Sequence, residues 1–191
     1  AFVEKVHAVH PDATFSVEVK VDGLSMSITY RREGNSPMNL VLAETRGDGF
    51  VGEDVTANAR VIPDIPLTLD LPYDSLTLRG EVYMAHEDFE RYNELQEELG
   101  KKAAANPRNL AAGTLRQLDT SVTKERGLRM FVFNVQEGPD ELTHSHCAGM
   151  DALAAAGVPV VVHRHCKTAD EVIAAIEAIG DLRGDLNYDL D

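Results

Sequence analysis

The sequence predicts an α+β domain, antiparallel sheets flanked by helices in one folding unit. Three observations carry that prediction. Residues 15–46 hold alternating segments joined by very short connections, which marks an antiparallel meander rather than βαβ units. Residues 86–99 carry apolar positions at helical spacing, and helix-start signals precede residues 107 and 169. No repeat, low-complexity segment or linker divides the 191 residues.

In chain order, residues 1–8 read as the end of a helix. FSVEVKVD and LSMSITYRR, from Phe15 to Arg32, are two strands joined at Gly23. EGNSP turns the chain, and MNLVLAETR (38–46) adds a third strand to the same meander. GDGFVGEDVTANAR is a glycine-rich loop running into a short helix, and the proline-rich VIPDIPLTLDLP is an extended connector. LTLRGEVYM (76–84) is a strand with charge at its centre. The 86–99 helix offers Phe89, Tyr92 and Leu95 or Leu99 as its apolar stripe, and Gly100 closes it.

Asn106 and Pro107 open the next helix as cap and first-position pair. LRMFVFNV (128–135) is an apolar strand. A helix follows from Thr143 to Ala156, then a strand at 158–163 and a helix at 169–179. Thr168 and Glu171 form a capping box for that last helix.

Composition narrows the function. With 43% hydrophobic and 26% charged residues, the chain can bury one good core. No apolar run approaches the ~18–20 residues that span a bilayer, and no signal-peptide pattern opens the chain. Two cysteines, Cys147 and Cys166, make no disulfide framework, so a reducing cytoplasm is expected. The net charge is −14, with 32 acids against 18 bases, which argues against strong unaided nucleic-acid binding. Lys101 to Leu118 nevertheless contains no acid and carries Arg108 and Arg116, a local basic patch.

The stretch VEVKVDGLS (17–25) concentrates the chemistry. Strand side chains alternate faces, so Glu18, Lys20 and Asp22 project from one side. Lys20 is either a solvated lysine paired with its flanking acids or a nucleophile. In the second reading, apolar neighbours draw the amine out of water and lower its pKa. Spacing alone leaves both open.

The glycines at 47 and 49 suit a loop whose backbone approaches a ligand, but no parallel βαβ unit surrounds them, so a Rossmann domain is not expected. His144 and His146 before Cys147, and His163 and His165 before Cys166, have the look of metal-ligand clusters. Neither has the CxxC spacing of a zinc module, and no metal site is assigned to them.

K-x-D-G at residues 20–23 resembles the nucleophile motif of nucleotidyltransferases, among them DNA ligases, RNA ligases and mRNA capping enzymes. TRGDGFVGEDVTANAR, RGEVYM, NPRNLAAGTLRQLD, the THS at 143 and the DLNYDLD ending resemble bacterial NAD-dependent DNA ligases specifically, in order and approximate separation. That resemblance covers essentially the whole chain.

It implies the nucleotidyltransferase fold, incomplete, with residues 1–191 forming an adenylation domain truncated at both ends. It implies a parent enzyme that seals nicks in duplex DNA during replication and repair, using NAD as AMP donor and Mg²⁺, as a monomer in the cytoplasm. Lys20 would carry AMP covalently, with Asp22 beside it near metal or ribose. Glu18 would lie in the adenine pocket, with Gly23 lacking a Cβ that would strike the nucleotide. Arg46 would contact the sugar and phosphate region, Glu81 the ribose hydroxyls, and Asp191 the nucleotide site. Phe133 would stack on adenine, although many relatives have tyrosine there, and relatives often carry proline where this chain has Val19. Arg79, on the Glu81 face, could pair with a surface acid. Arg108, Arg116 and Arg183 would hold phosphates of DNA or of the adenylated end.

Relatives also begin with a helical domain for the nicotinamide mononucleotide half of NAD. They continue into G-V-V-V-K, a further lysine, an oligonucleotide-binding fold, a four-cysteine zinc module, helix-hairpin-helix repeats and a recognition domain. The chain by itself is therefore expected to form little lysyl-AMP, and Zn²⁺ to belong to the parent only. Two other readings stand beside this one: an ATP-using ligase or capping-type enzyme, which the NPRN…LRQLD stretch disfavours, and a non-catalytic nucleotide-binding module.

Overall fold

The computed structural model describes residues 2–47 and 52–191; Gly49 lies outside them. The main sheet is antiparallel, with strand order β4-β3-β2-β5-β6. These strands are β2 (Leu24–Arg31), β3 (Met38–Thr45), β4 (Thr68–Leu69), β5 (Ser75–Met84) and β6 (Leu128–Glu137). A separate two-stranded sheet pairs β1 (Phe15–Glu18) with β7 (His163–Cys166). The helices are α1 (Phe2–His7), α2 (Thr56–Ala59), α3 (His86–Glu98), α4 (Pro107–Leu115), α5 (Thr120–Glu125), α6 (Asp140–Thr143), α7 (His146–Ala155) and α8 (Ala169–Leu182).

Strand periodicity divides the main sheet into two working faces. Met26, Ile28 and Tyr30 of β2, Leu76, Leu78 and Val82 of β5, and Met130 and Val132 of β6 enter one core with Leu115 of α4. The other face carries Ser25, Arg79 and Glu81 in the middle of the sheet. Toward the end of β5 it becomes apolar again: Tyr83 stacks on Phe131 with centroids 5.1 Å apart, and Tyr188 packs against both. Val19, Val21 and Val161 complete this second cluster.

The capping signals are realised. Asn106 accepts from the Asn109 N–H at 2.8 Å with Pro107 following it, and Thr168 and Glu171 make a reciprocal capping box.

Several expected elements differ. The first strand stops at Glu18 and pairs with β7, so β2 has β3 and β5 as neighbours and the three-strand meander is not formed. Residues beyond Glu18 still alternate: Val19 and Val21 are buried, Val19 N–H donates to Val162 and Val21 bridges Leu190. The strand expected at 158–163 begins only at His163. Before it, Val158 and Val161 bury in a loop clipped to β6, where Val132 N–H donates to Pro159 and Val161 N–H to Val132. The helix expected at 143–156 is two helices, broken at His144–Ser145. Leu95 and Leu99 are exposed rather than part of a buried stripe, and α3 leans on the core through Phe89. The helix α5, capped by Asp119, was not anticipated. Nor was β4, a two-residue edge strand within the connector. Among the described residues no helix is long and apolar enough to cross a membrane.

Candidate functional site

A cleft of about 740 Å³ opens over the polar part of the main sheet. Its floor is Ser25 of β2 with Arg79 and Glu81 of β5; one wall is Glu18 to Val21, and the rim carries Arg46, Gly47, Arg108 and Arg116. Phe133, Asn134 and Val161 close the remaining side. Lys20, Glu18, Arg46, Glu81, Arg108, Arg116 and Phe133, all singled out in the sequence, therefore line one cavity.

The Glu18–Lys20–Asp22 face exists because Val19 and Val21 are buried behind it. Glu18 is largely covered, and its Oε1 accepts from Ser16 Oγ at 2.6 Å and His146 Nε2 at 2.5 Å. Lys20 is 72% exposed and ion-paired to the Asp191 carboxylate. Of the two readings left open, the structure shows the solvated, ion-paired lysine, with its valine neighbours buried on the opposite face; its partner is Asp191 rather than Glu18 or Asp22. Asp22 is outside the cleft lining and accepts from Nη1 of the rim residue Arg108 at 3.1 Å. The C-terminal stretch lies alongside: Asp22 N–H donates to Asp189, and Asp191 N–H to the Lys20 carbonyl.

Gly23 has a reason within the sheet as well. A Cβ there would stand 2.1 Å from the Val82 carbonyl oxygen, so the sheet itself demands glycine at this turn.

Glu81 points from the centre of the sheet into the cleft. Burial pushes its carboxyl above the ordinary 4.5, opposed by the charges of Arg108 and Lys20. Arg79, on the same face, donates to Ser25 Oγ at 3.1 Å rather than to a surface acid. Arg46 closes β3, its N–H reaching the Ser25 carbonyl, and Gly47 follows at φ 56°.

Phe133 owes its place to a β-bulge. Val132 pairs with Gly80 and Asn134 with Arg79, leaving Phe133 as the extra residue of β6. Its ring both joins the second apolar cluster and faces the cleft.

Arg108 and Arg116 sit at the two ends of α4, and Arg116 Nε bonds Glu53 at 2.5 Å. Behind Arg116 lies a buried network the sequence did not announce. Asn58 donates to the carbonyls of Leu115 and Gln117 at 2.8 Å each and accepts from Thr123. Arg126 donates to Thr114 and lies over the Tyr92 ring. The network fastens α2, α4 and α5 together. Arg183 lies outside the cleft lining and donates to the Leu190 carbonyl at 3.3 Å.

The histidines are otherwise engaged: His146 binds Glu18, and His163 binds Asp151 at 2.9 Å. Among the described residues no group of three His, Cys, Asp or Glu could hold a metal ion. Both cysteines are buried free thiols.

Chemically, five cations around two largely covered carboxylates and an aromatic face suit a phosphorylated ligand with a flat base. Guanidinium groups match phosphate oxygens, carboxylates accept from hydroxyl or amino groups, and the ring can stack.

Comparison with known proteins identifies the family. The family model for the NAD-dependent DNA ligase adenylation domain matches residues 1–191. A DNA ligase of Jannaschia sp. is 45% identical over 94% of this chain and 23% of its own length. DNA ligases of Thermoanaerobacter sp. and Clostridium kluyveri are 42% and 41% identical across the full chain, which covers 28% of each. The chain spans about a quarter of the length of these relatives. With the match running from the first residue to the last, the chain belongs to the NAD-dependent DNA ligase adenylation domain family.

Proposed function

We propose that this chain is the nucleotide-charging part of an NAD-dependent DNA ligase that seals nicks in duplex DNA. The observation that carries the proposal is the gathering of Lys20, Glu81, Arg108 and Phe133, far apart in sequence, around one cleft.

The Lys20 amine, after losing a proton to solvent, attacks the α-phosphorus of NAD. A P–N bond forms, the P–O bond to nicotinamide mononucleotide breaks, and lysyl-AMP results. An oxygen of the DNA 5′-phosphate then displaces lysine from that phosphorus. Finally the 3′-hydroxyl attacks the 5′-phosphate and releases AMP. The protein's contribution is alignment and charge neutralisation.

Glu18 and Phe133 hold the base, one by accepting and one by stacking. Glu81 accepts from ribose hydroxyls. Arg46 and Arg79 face the phosphates, and Asp191 orients the Lys20 ammonium. Arg108 and Arg116 serve the DNA phosphate, with Arg183 steadying the tail that carries Asp191. Mg²⁺ takes oxygen ligands and commonly binds through one or two carboxylates plus substrate phosphates. Asp22 and Glu81 have the right donor chemistry, and the ion would neutralise phosphate charge. Any Zn²⁺ belongs to another part of the protein.

Full-length protein carrying Lys20→Ala tests the reading. Incubated with NAD and Mg²⁺ it should show no added AMP by intact mass and no nick sealing. Unchanged sealing excludes Lys20 as the nucleophile. ATP in place of NAD should leave the wild type uncharged.

A further inference from the structure

The Glu18 carboxylate is held from behind. Its Oε1 takes two donors, the Ser16 hydroxyl at 2.6 Å from its own strand and His146 Nε2 at 2.5 Å from the first turn of α7. A carboxylate only accepts, so Nε2 is the ring nitrogen that carries hydrogen. With Oε1 occupied twice, Oε2 is the atom free to meet a ligand, and Glu18 lines the cleft. Without His146 the carboxylate could rotate about its last torsion, a broad and soft one.

We infer that His146 is a positioning residue for base selection, fixing Glu18 so that its free oxygen accepts from the base. This rests on the reading that Glu18 faces the adenine of NAD. Adenine offers an exocyclic amino group as donor, whereas hypoxanthine has an oxygen at the same place. A held carboxylate welcomes the first and repels the second. A loose one turns aside and discriminates poorly.

The test compares NAD with its hypoxanthine analogue as AMP donor for the full-length ligase, measuring KM and kcat for lysyl-AMP formation. His146→Ala should lower the preference for NAD about tenfold, mainly through the KM of NAD, the scale expected for a hydrogen bond to a charged group. His146→Gln, whose amide nitrogen reaches the Nε2 position, should restore it, and His146→Asn should not. In a Glu18→Ala background, His146→Ala should change the preference no further.

If Glu18→Ala loses the preference while His146→Ala keeps it, the inference about His146 falls alone. If Glu18→Ala itself keeps the preference, the adenine reading of Glu18 falls with it. A His146→Ala protein with lower kcat and melting temperature but unaltered preference would make His146 a structural residue only and overturn the inference. Should His146→Ala fail to fold, the Gln and Asn pair decides by the same criterion.

Discussion

Lys20 and Asp191 meet twice: their side chains form an ion pair, and the Asp191 N–H donates to the Lys20 carbonyl at 2.9 Å. Both side chains are exposed, 72% and 53%. An exposed pair contributes little to stability, typically well under ~1 kcal/mol. Asp191→Asn should therefore leave the melting temperature within about 2 °C. It should slow lysyl-AMP formation by the full-length protein about tenfold, because the amine loses its fixed aim. Stopped-time intact mass beside a thermal melt separates the two effects.

Gly23→Ala should be costly. The new Cβ would lie 2.1 Å from the Val82 carbonyl oxygen, and backbone cannot step aside as a side chain can. A loss of about 3 kcal/mol is expected, and a melting temperature lower by roughly 10 °C. Gly113→Ala is the control: a Cβ there meets nothing within 4 Å in α4, so helix propensity should make it stabilising by about 0.5–1 kcal/mol.

Asn58→Ala would strand the Leu115 and Gln117 carbonyls and leave the Thr123 hydroxyl to the Thr114 carbonyl at 3.2 Å. Unpartnered buried polar groups put the cost at about 2–3 kcal/mol by denaturant titration. Because those carbonyls flank Arg116, sealing of pre-adenylated nicked DNA should fall more than charging with NAD.

Glu81→Gln should show the sign of a buried charge. The folded-state carboxyl titrates above its ordinary 4.5, chiefly through burial, so the ionised form is disfavoured by folding. Above that value the charge subtracts from stability; below 4.5 it is neutral in both states and subtracts nothing. The Gln variant should melt higher than wild type at pH 7, with the gap narrowing as pH falls through the raised folded-state pKa toward 4.5 and absent below it. AMP binding at pH 7 should nonetheless weaken, since an amide is the poorer acceptor for ribose hydroxyls.

The sequence revealed what strand periodicity and capping control. The shared face of Glu18, Lys20 and Asp22 follows from alternation, and the starts of α4 and α8 follow from Asn106 and Thr168. What it concealed was non-local. β1 pairs with β7, about 150 residues onward, through a register that no nearby turn dictates. Val158 to Val161 has a strand's composition but packs as loop, because Val132 of β6 donates one hydrogen bond to it and accepts one from it without a ladder. Asn58 read as part of a motif, and only the fold shows it joining three helices. His146 stood out as a metal candidate, while its real neighbour, Glu18, lies 128 residues away.

The bulge in β6 makes the aim of one ring a matter of counting. Were the strand one residue shorter between Phe131 and Asn134, β5 and β6 would pair without a break past Gly80 and Arg79, and the aromatic wall would turn its back on the cavity. Residue identity there can drift among flat side chains, but spacing cannot. A one-residue insertion or deletion at this point would dismantle the base-holding wall even in a chain that kept its core.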